Sequence, residues 1–384
     1  MEEWKKCKLG DICKSNINSY SEKDNWSFVN YLDTGNITEN KISDIQFIDL
    51  SSESLPSRAR RKVQLNDIIY STVRPNQKHF GIIKNQPENF LVSTGFAVLH
   101  INKTIADPNF IFYNLIQNEN TESLHAIAEQ TTSAYPAIKP SDIENLSIKL
   151  PPLPTQQKIA AILSSLDDKI ELNNKINTNL EQQAGTLFKN CFVDIYPFGG
   201  KMPARWKVGT VSEIITLHDS KRIPLSSQQR EKMEKKYPYY GATSLMDYVD
   251  NYLFDGIFLL LGKDGTVVDS EGFPILQYVE GKFWVNNHAH ILTGKNGFSV
   301  EMLYLLFSLT NVKDKVTGAV QPKISQGNLN SITAIIPTEE ICKKFDLLIQ
   351  PLFAQIRNLK QENDRLSDLR DTLLPKLING EIEV

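Results

Sequence analysis

The chain has 384 residues, of which 41% are hydrophobic and 9% aromatic. At about 100–200 residues per domain, this length predicts two or three globular units, and the apolar content excludes a wholly disordered or fibrous protein. The 42 basic and 45 acidic residues leave a net charge of −3. This excludes a protein-wide positive field that would bind nucleic acid or an anionic membrane without specificity.

Features that would indicate export or a metal scaffold are absent from the sequence. The four cysteines are scattered, with no CxxC pair and no Cys/His cluster, which argues against a disulfide framework or a zinc ribbon. Residues 1–6 lack the apolar stretch of a signal peptide, and the longest apolar run, Met302–Phe307, is too short to cross a membrane. We therefore expect a soluble, cytoplasmic protein.

The two halves of the chain repeat each other. Val92–Leu99 aligns with Val285–Leu292, and Ile143–Pro151 aligns with Leu329–Pro337, in the same order along the chain. This repeat is far longer than any solenoid unit, so it indicates the duplication of a whole domain together with its appended segment.

In chain order, each half begins with short runs of β-branched and aromatic residues separated by Gly, Asn and Pro. Such runs predict strands, and each set is followed by one short amphipathic stretch. The predicted strands are Ile68–Val73, Phe96–Ile101, Phe254–Leu261 and Phe283–Leu292. The predicted short helices are Phe110–Gln117 and Val300–Leu309.

Each half ends in a long predicted helix, in which apolar residues recur at alternating spacings of three and four. We expect Thr155 and Thr338 to be the N-caps. We expect Pro351 to kink the second helix and Pro375, followed by Gly380, to end it. The seam of the first helix is Ile159, Leu163, Leu166, Ile170, Asn173, Asn177, Leu180, Ala184, Leu187 and Cys191. The seam of the second is Ile341, Phe345, Leu348, Leu352, Gln355, Leu359, Glu362, Leu366, Leu369 and Leu373.

These patterns predict an α+β fold with an internal pseudo-twofold repeat. Two similar domains of mixed strands and short helices, residues 1–150 and 196–336, are joined by two long helices, residues 151–195 and 337–384. We expect these helices to pair antiparallel as a coiled coil. The residues expected to carry the pairing are Ile159, Leu163, Leu166, Ile170, Leu180, Leu348, Leu352, Leu359, Leu366 and Leu369. The alternative is two separate helices, each packed on its own globular unit.

Most catalytic motifs are absent: the sequence contains no P-loop, no GxGxxG turn, no GxSxG and no HExxH. Asp269, Glu280 and Lys282 mimic the metal site of many nucleases, but a charged hairpin turn is the favoured interpretation. His288 and His290 would share one strand face with no third ligand nearby, so a DNA contact or a satisfied hydrogen bond is favoured over a metal.

Basic and planar side chains recur near turns in both halves. Arg reads guanine, Asn and Gln read adenine, and Lys holds phosphates, so these residues are candidates for contacts with DNA. The candidates in the first half are Arg58, Arg60, Arg61, Lys62, Arg74, Asn76, Lys78, Tyr135 and Lys139. Those in the second half are Lys221, Arg222, Tyr240, Thr243, Lys263, Asp264, His288, Gln321 and Lys323. Taken singly, each is better explained as a solvated surface group, and only the recurrence in both halves favours a contact with DNA.

Several motifs together resemble the specificity subunits of type I restriction–modification systems, and the resemblance covers essentially the whole chain. The motifs are Leu150–Ile159, Tyr239–Thr243, Trp284–His290, Gln321–Lys323 and Leu373–Leu377. The sequence departs from the pattern at the turn of the first half, where Tyr135-Pro136 stands in place of Gln-Pro.

The resemblance implies a non-catalytic DNA reader of a host-defence system. Each recognition domain would contact one half of a bipartite, asymmetric site through the major groove, and the paired helices would set the gap between the half-sites. Two modification subunits would supply the methyltransferase chemistry and bind S-adenosylmethionine. Restriction subunits would supply the ATP-driven translocase and the Mg²⁺-dependent nuclease, so no cofactor and no metal is expected in this chain.

Two other classes of function stay open at this point. One is a coiled-coil adaptor whose globular ends bind proteins, and the other is an enzyme, either a nuclease built on Asp269, Glu280 and Lys282 or a methyltransferase with a diverged motif. The near-neutral net charge leads to a further hypothesis. The chain alone would bind DNA weakly, and basic surface on the modification subunits would supply the missing phosphate contacts.

Overall fold

The computed structural model describes residues 4–130, 136–318 and 320–384, and the chain divides into two compact units. Unit 1 comprises Met1–Leu172 and Glu362–Val384, and unit 2 comprises Asn173–Gln361. Both units therefore draw on both long helices. None of the helices in the described ranges has the combination of length and apolar character that crossing a bilayer requires.

Unit 1 contains twelve of the described strands and three short helices. The strands are β1 Lys5–Lys8, β2 Cys13–Ser15, β3 Phe28–Leu32, β4 Ile37–Thr38, β5 Lys41–Ile42, β6 Gln46–Asp49, β7 Ala59–Lys62, β8 Ile68–Ser71, β9 Phe80–Ile82, β10 Phe90–Ser93, β11 Phe96–Ile101 and β12 Ser147–Leu150. The helices are α1 Pro108–Leu115, α2 Asn118–Glu129 and α3 Pro140–Glu144. The first long helix, α4, runs from Leu153 to Phe188 and continues as a π-helical turn, Lys189–Val193.

Unit 2 repeats this order with fewer described strands. Its strands are β13 Lys207–Thr210, β14 Ile215–Leu217, β15 Tyr237–Tyr240, β16 Leu245–Val249, β17 Phe254–Gly262, β18 Leu276–Val285, β19 Ala289–Gly294 and β20 Thr333–Ile336. Its short helices are α5 Ser227–Glu231, α6 Val300–Ser308 and α7 Gln326–Asn330. The second long helix, α8, is Glu339–Ile378.

The sheets of the two units have matching strand orders with one difference. Unit 2 has a six-stranded sheet in the order β14-β19-β17-β18-β15-β16, whereas unit 1 has two four-stranded sheets, β2-β11-β8-β9 and β6-β3-β10-β7. The long strand β18 pairs with β17 at one end and with β15 at the other. In unit 1 two separate strands make the equivalent pairings: β9 pairs with β8, and β10 pairs with β3. Residues 83–89 lie between β9 and β10. In both units the pairing of β10 with β3, or of β18 with β15, is parallel.

Five of the six predicted short elements agree with the structure to within two residues at each end, and the α+β repeat is confirmed. Predicted strand Ile68–Val73 is one of the five and ends at Ser71. The predicted strand Phe283–Leu292 is wrong, because a turn at residues 286–288 divides it into the end of β18 and the start of β19. Asn286 makes this turn by accepting a hydrogen bond from the backbone N–H of His288 through its side-chain oxygen, at 2.8 Å. The sequence pattern did not predict helix α2.

Within each unit, segments of the two long helices pack together. In unit 1, Arg370 on α8 pairs with Asp167 on α4 at 2.8 Å, and Lys169 lies 3.4 Å from Glu362. The residue numbers rise along one helix as they fall along the other, so the segments run antiparallel. In unit 2 the corresponding contact is aromatic, with the ring of Phe345 edge-on to that of Phe188 at 5.8 Å between centroids.

The predicted seam fits α4 better than α8. In α4, Ile159, Leu163 and Ile170 are buried, although Phe188 is buried in place of Leu187. In α8 the buried side chains include Cys342, Phe345, Ile349, Phe353 and Ile356. Leu348 is 58% exposed and Leu369 is 47% exposed, so their prediction as pairing residues is wrong. The helix has two apolar stripes one residue apart, and the stripe that faces the core of unit 2 is the buried one.

Two predictions about helix ends also need correction, those for Thr155 and Pro375. Helix α4 begins at Leu153, so Thr155 lies inside it, whereas Thr338 directly precedes α8 as expected. Helix α8 continues through Pro351 and Pro375 and ends at Ile378. Pro351 is exposed, so water can satisfy the carbonyl group that loses its helical donor. Gly380, with φ at +75°, follows the end of the helix.

Candidate nucleic-acid interface

Several loops of unit 2 converge through backbone hydrogen bonds. The loop after β17 donates from the N–H of Lys263 to the carbonyl of His288 at 2.8 Å, and from the N–H of Gly265 to that of Pro322 at 2.9 Å. The N–H of Ile324 donates back to the carbonyl of Lys263 at 3.0 Å. This joins three segments: the loop after β17, the turn before β19, and the loop before α7.

The loop after β15 joins the same group. Asn286 donates from its backbone N–H to the carbonyl of Tyr240 at 3.0 Å, and the side chain of Gln277 donates to the carbonyl of Gly241 at 3.1 Å. Thr243 lies exposed on this loop. The nine candidates of the second half therefore lie on segments that meet at one end of the sheet, since Lys221 and Arg222 follow β14 beside them.

Four of those candidates form one charged cluster around the carboxylate of Asp264. The ammonium group of Lys323 lies 3.4 Å from it, that of Lys263 3.8 Å, and Nδ1 of His288 3.9 Å. The side chain of Asp264 is 16% exposed and that of Lys323 is 48% exposed. The carboxylate therefore holds the basic groups at the surface, where Lys323 and His288 are accessible to a ligand.

Arg222 has a different role from the one predicted. Its guanidinium group donates to the carbonyls of Asp219, Asn287 and Ala289 and forms an ion pair with the carboxylate of Asp219 at 3.2 Å. Its side chain is only 10% exposed. Because these donors are already used within the protein, Arg222 fixes the turn before β19 and is not positioned to read a base.

Unit 1 has the same framework of backbone hydrogen bonds. The N–H of Thr72 donates to the carbonyl of Gly95 at 2.8 Å, that of Arg74 to Pro136 at 2.9 Å, and that of Ile138 to Thr72 at 2.8 Å. Each bond has its counterpart in unit 2, where Lys263, Gly265 and Ile324 are the donors. The loops that carry the candidates are thus positioned by the same scaffold in both units.

The turn after β8 carries three of the candidates of unit 1. Arg74 and Lys78, at its two ends, have positive φ values of 47° and 55°, a left-handed conformation that costs free energy in residues other than glycine. Arg74 and Asn76 are exposed, while Lys78 pairs with Glu39 at 3.0 Å. Such a conformation at an exposed turn is typical of a binding loop.

The remaining candidates of unit 1 are distributed more widely. Arg58 is exposed and its carbonyl accepts a hydrogen bond from Thr94 in the turn before β11, so it lies with the converging loops. Arg60 and Arg61 are half-buried on the edge strand β7, where Lys62 pairs with Asp24 and lies over the ring of Trp26. Lys139 is exposed just before α3, and Tyr135 lies outside the described residues.

A carboxyl group also lies near these loops in unit 1. Burial acts to raise the pKa of Asp33, but hydrogen bonds from the backbone of Thr34 and from the side chains of Ser93 and Tyr31 bring it below its ordinary value, and Arg58 adds to this effect. Asp33 is therefore ionised at neutral pH. A carboxylate at this position can accept a hydrogen bond from a base amino group.

Each unit has a surface groove at the equivalent place, beside the proline turn. In unit 1 it is lined by Arg74, Asn76, Gln77, His125, Glu129 and Pro136. In unit 2 it is lined by Gly265, Thr266, Val267, Val268, Val320, Gln321 and Pro322. Sequence reasoning missed Gln77, Thr266 and the two residues from α2. Gln77 and Thr266 follow predicted strands by only a few residues, so loop position could have identified them.

The nuclease-like residues have separate partners. The carboxylate of Asp269 accepts hydrogen bonds from three backbone N–H groups of its own turn, at 2.8 to 3.0 Å. Glu280 lies 3.6 Å from Arg357, and the ammonium group of Lys282 lies over the ring of Tyr252 at 4.7 Å. In the described parts of the chain, no three His, Cys, Asp or Glu side chains are grouped so as to hold a metal ion.

Comparison with known proteins identifies the architecture. The family model for the type I restriction modification DNA specificity domain matches residues 1–182 and 203–367. The HindI specificity subunit of Haemophilus influenzae is 27% identical over 462 aligned positions, which cover 100% of both chains. The MjaIX specificity subunit of Methanocaldococcus jannaschii is 28% identical over 306 positions, covering 72% of this chain and 69% of that one.

A solved structure has the same fold. The S subunit of a type I restriction–modification system from M. genitalium matches with a TM-score of 0.57 over 98% of this chain and 96% of that one, at 18% identity. The family model matches in two blocks, as the repeated loops and sheets of the two units require. The chain therefore belongs to the family of type I restriction–modification DNA specificity subunits, and it is a DNA-recognition subunit.

Proposed function

We propose that this chain is a non-catalytic reader of a bipartite, asymmetric DNA site, in which each unit reads one half-site. The observation that carries the proposal is the pair of matching loop frameworks with different side chains on them. Unit 1 offers Arg74 and Asn76 beside its proline turn, and unit 2 offers Gln321 and Lys323. Two different surfaces on equivalent scaffolds suit two different short sequences, so no protein dimer is needed to read an asymmetric site.

The proposal assigns roles within each interface. Arg58, Arg74, Asn76 and Gln77 in unit 1, and Thr266 and Gln321 in unit 2, would face base edges, because they are exposed and have the hydrogen-bonding groups that the major groove requires. Lys139, Lys221, Lys263 and Lys323 would face phosphates. The two recognition domains are proposed to be residues 1–150 and 196–336, with residues 151–195 and 337–384 as helical spacers that set the gap between half-sites.

Partner subunits would supply the chemistry. We infer that two modification subunits, which bind S-adenosylmethionine, and restriction subunits, which use ATP and Mg²⁺, assemble on this chain. The family membership supports this inference, and so does the low net charge of −3. A chain whose acidic residues outnumber its basic ones makes few net phosphate contacts, so the complex would bind DNA more tightly than the chain alone.

Selection from randomised duplex DNA tests the proposal. The chain, co-expressed with the modification subunits of its own system, is expected to enrich two short blocks of sequence separated by an unselected gap of constant length. Asn76→Ala should alter one block and Gln321→Ala the other, while the exposed Gln64→Ala, outside the loops, should alter neither. No enrichment would favour a protein-binding adaptor. A change in the same block with both substitutions would contradict the assignment of one half-site to each unit.

A further inference from the structure

A fully buried histidine lies behind the interface of unit 2. His290 on β19 has no exposed surface. Its Nδ1 lies 2.7 Å from Oδ2 of Asp219, and its Nε2 lies 2.8 Å from the backbone carbonyl oxygen of Ile324. Both ring nitrogens therefore face oxygen atoms, and a carbonyl oxygen can only accept a hydrogen bond.

The charge state of Asp219 decides that of the ring. Both oxygens of this carboxyl are occupied by other donors: Oδ1 accepts from the N–H of Ile291 at 3.0 Å, Oδ2 accepts from the side chain of Gln326 at 2.9 Å, and the guanidinium group of Arg222 lies 3.2 Å from Oδ2. A carboxylate held by these donors cannot itself donate, so the geometry calls for a proton on Nδ1 as well as on Nε2. The pair is then an imidazolium and a carboxylate, a combination that remains stable in the interior because each charge compensates the other.

Other titratable groups beside the pair are compatible with this state. Arg222 lies 3.2 Å from Asp219 and donates to the carbonyl of Ala289, so it shares the carboxylate with the ring. Burial, followed by the charge of Lys221, lowers the pKa of the neighbouring His218, so His218 adds no charge at neutral pH. The charged groups at this position are thus the carboxylate of Asp219 and the two cations that it binds, the ring of His290 and the guanidinium group of Arg222.

We propose that His290 is a positioning residue for DNA recognition: its doubly protonated ring ties together the three segments that carry the recognition residues of unit 2. Asp219 belongs to the turn that carries Lys221, Ile324 ends the loop that carries Gln321 and Lys323, and β19 itself follows the turn that carries His288. The inference deepens the proposed function, on which it rests.

Unit 1 builds the equivalent junction without charge. Ala97 occupies the position of His290, since Ala97 pairs with Tyr70 as His290 pairs with Leu261. The N–H of Val98 donates to the side-chain oxygen of Asn16 at 3.0 Å, where Ile291 donates to Asp219. The neutral side chains of Asn16 and Ala97 are therefore sufficient to hold this strand in place in unit 1. The charged pair in unit 2 adds the link to the loop at Ile324.

The ring nitrogens give a direct test that requires no DNA. The full chain has six histidines, so ¹⁵N-histidine labelling gives few signals, and the His290→Gln variant assigns those of His290. We expect both ring nitrogens of His290 to be protonated at neutral pH, and one of them to lose its proton in Asp219→Asn. An unprotonated nitrogen in the unchanged chain would overturn the proposal.

Duplex selection then tests the positioning role. In the complex with modification subunits, His290→Phe and the milder Asp219→Asn should weaken discrimination in the block read by unit 2, by roughly tenfold or more for each base pair no longer read. The block read by unit 1 should be unchanged. Leu292→Ala, on the same strand and in the core, is the control for lost stability and should leave both blocks intact.

The outcomes separate this inference from the proposed function. If both His290→Phe and Asp219→Asn select the same unit 2 block as the unchanged chain, or if Leu292→Ala loses that block equally at equal thermal stability, the positioning role is wrong. If the unchanged chain selects no sequence, the proposed function fails, and the positioning role that rests on it fails too. The ring-nitrogen measurement still decides whether the charged pair exists.

Discussion

The two units share a backbone framework but differ in the chemistry placed on it. Where unit 2 has Lys263, Asp264, His288 and Lys323 in one charged cluster, unit 1 has Thr72, Val73, Gly95 and Ala137 at the equivalent hydrogen-bonded positions. The bridge between Asp264 and Lys323 in one unit corresponds to that between Val73 and Ala137 in the other. A recognition surface can therefore change its charge completely while the main chain that supports it is retained.

The sheets differ for a local reason. Strand β18 passes without interruption through Gly281, whose φ of +86° suits only glycine, opposite Gly256 on β17. In unit 1 the corresponding chain leaves the sheet at residues 83–89 and returns as β10. The segment that leaves includes Lys84, which pairs with Asp168 on α4 at 2.6 Å. An insertion has thus gained a contact with the long helix without disturbing the loops at the interface.

Each unit also anchors its globular part to the long helices by a Tyr–carboxylate–Arg group, and the two anchors differ in depth. Arg357 lies 3.2 Å from Glu301, whose side chain is 5% exposed, and it also donates to the hydroxyl of Tyr278. Arg370 lies 2.8 Å from Asp167, which is 22% exposed and accepts a hydrogen bond from Tyr113. The deeper pair belongs to unit 2.

The largest expected effect is on the stability of unit 2. Arg357→Met should lower its free energy of unfolding by about 3–5 kcal/mol, because it leaves Glu301 buried without its counter-charge. Arg370→Met should lower that of unit 1 by only about 1.5–3 kcal/mol, since water reaches Asp167. Urea unfolding followed by hydrogen exchange in each unit measures both. The exposed Arg365→Met on the same helix is the control, with an effect of about 0.5 kcal/mol or less. A larger loss for Arg370→Met would contradict this comparison.

The next largest effect is on how the stability of each unit depends on pH, and it has opposite signs in the two units. The folded-state pKa of Asp219 is about 2, below the ordinary 3.8, so its ionised form stabilises unit 2 above pH 4 and this contribution is lost as the pH falls. The stability advantage of the unchanged chain over Asp219→Asn should shrink by about 1 kcal/mol between pH 5 and pH 3. Burial raises the pKa of Asp67 in unit 1 despite its hydrogen bonds from Gln64 and His100. The stability advantage of the unchanged chain over Asp67→Asn should therefore grow as the pH falls from 5 to 3.

Fluorescence can follow these pH effects in one unit at a time. Trp4 and Trp26 lie in unit 1, and Trp206 and Trp284 lie in unit 2. Replacing either pair by Phe leaves reporters in the other unit alone, and the unchanged chain serves as the reference for stability. If the stability difference from the unchanged chain had the same slope against pH for Asp219→Asn and Asp67→Asn, the predicted opposite signs would be wrong.

The smallest expected effect is on the salt dependence of DNA binding. Lys323→Gln should change stability by about 0.5 kcal/mol or less, because Lys323 is exposed, and it should reduce the slope of log affinity against log salt by about 1. Ala137→Lys places the same charge at the equivalent position of unit 1 and should raise the slope by a similar amount. Binding of the complex to its selected duplex at several salt concentrations measures both. A slope unaffected by Lys323→Gln would remove this residue from the phosphate contacts.

Sequence patterns predicted the repeat, most of the short elements and the seam of α4 because each depends on local spacing. They failed for α8, where two apolar stripes compete and only the shape of the unit 2 core selects Ile349 and Phe353 over Leu348. They also assigned Arg222 to DNA, because the partners that use its donors lie far away in the chain, at Asn287 and Ala289. For His290 they offered a DNA contact or a satisfied hydrogen bond without naming its partners, since Asp219 and Ile324 lie on separate segments.

The most direct test of the account is the exchange of one recognition domain. Residues 1–150, which end with β12 before α4 begins, are replaced by the corresponding residues of a relative, and the complex selects duplexes from a randomised library. We predict that one block of the selected sequence changes to that of the relative, while the other block and the gap stay as they were. A change in both blocks, or in neither, would contradict the claim that each unit reads its own half of the site.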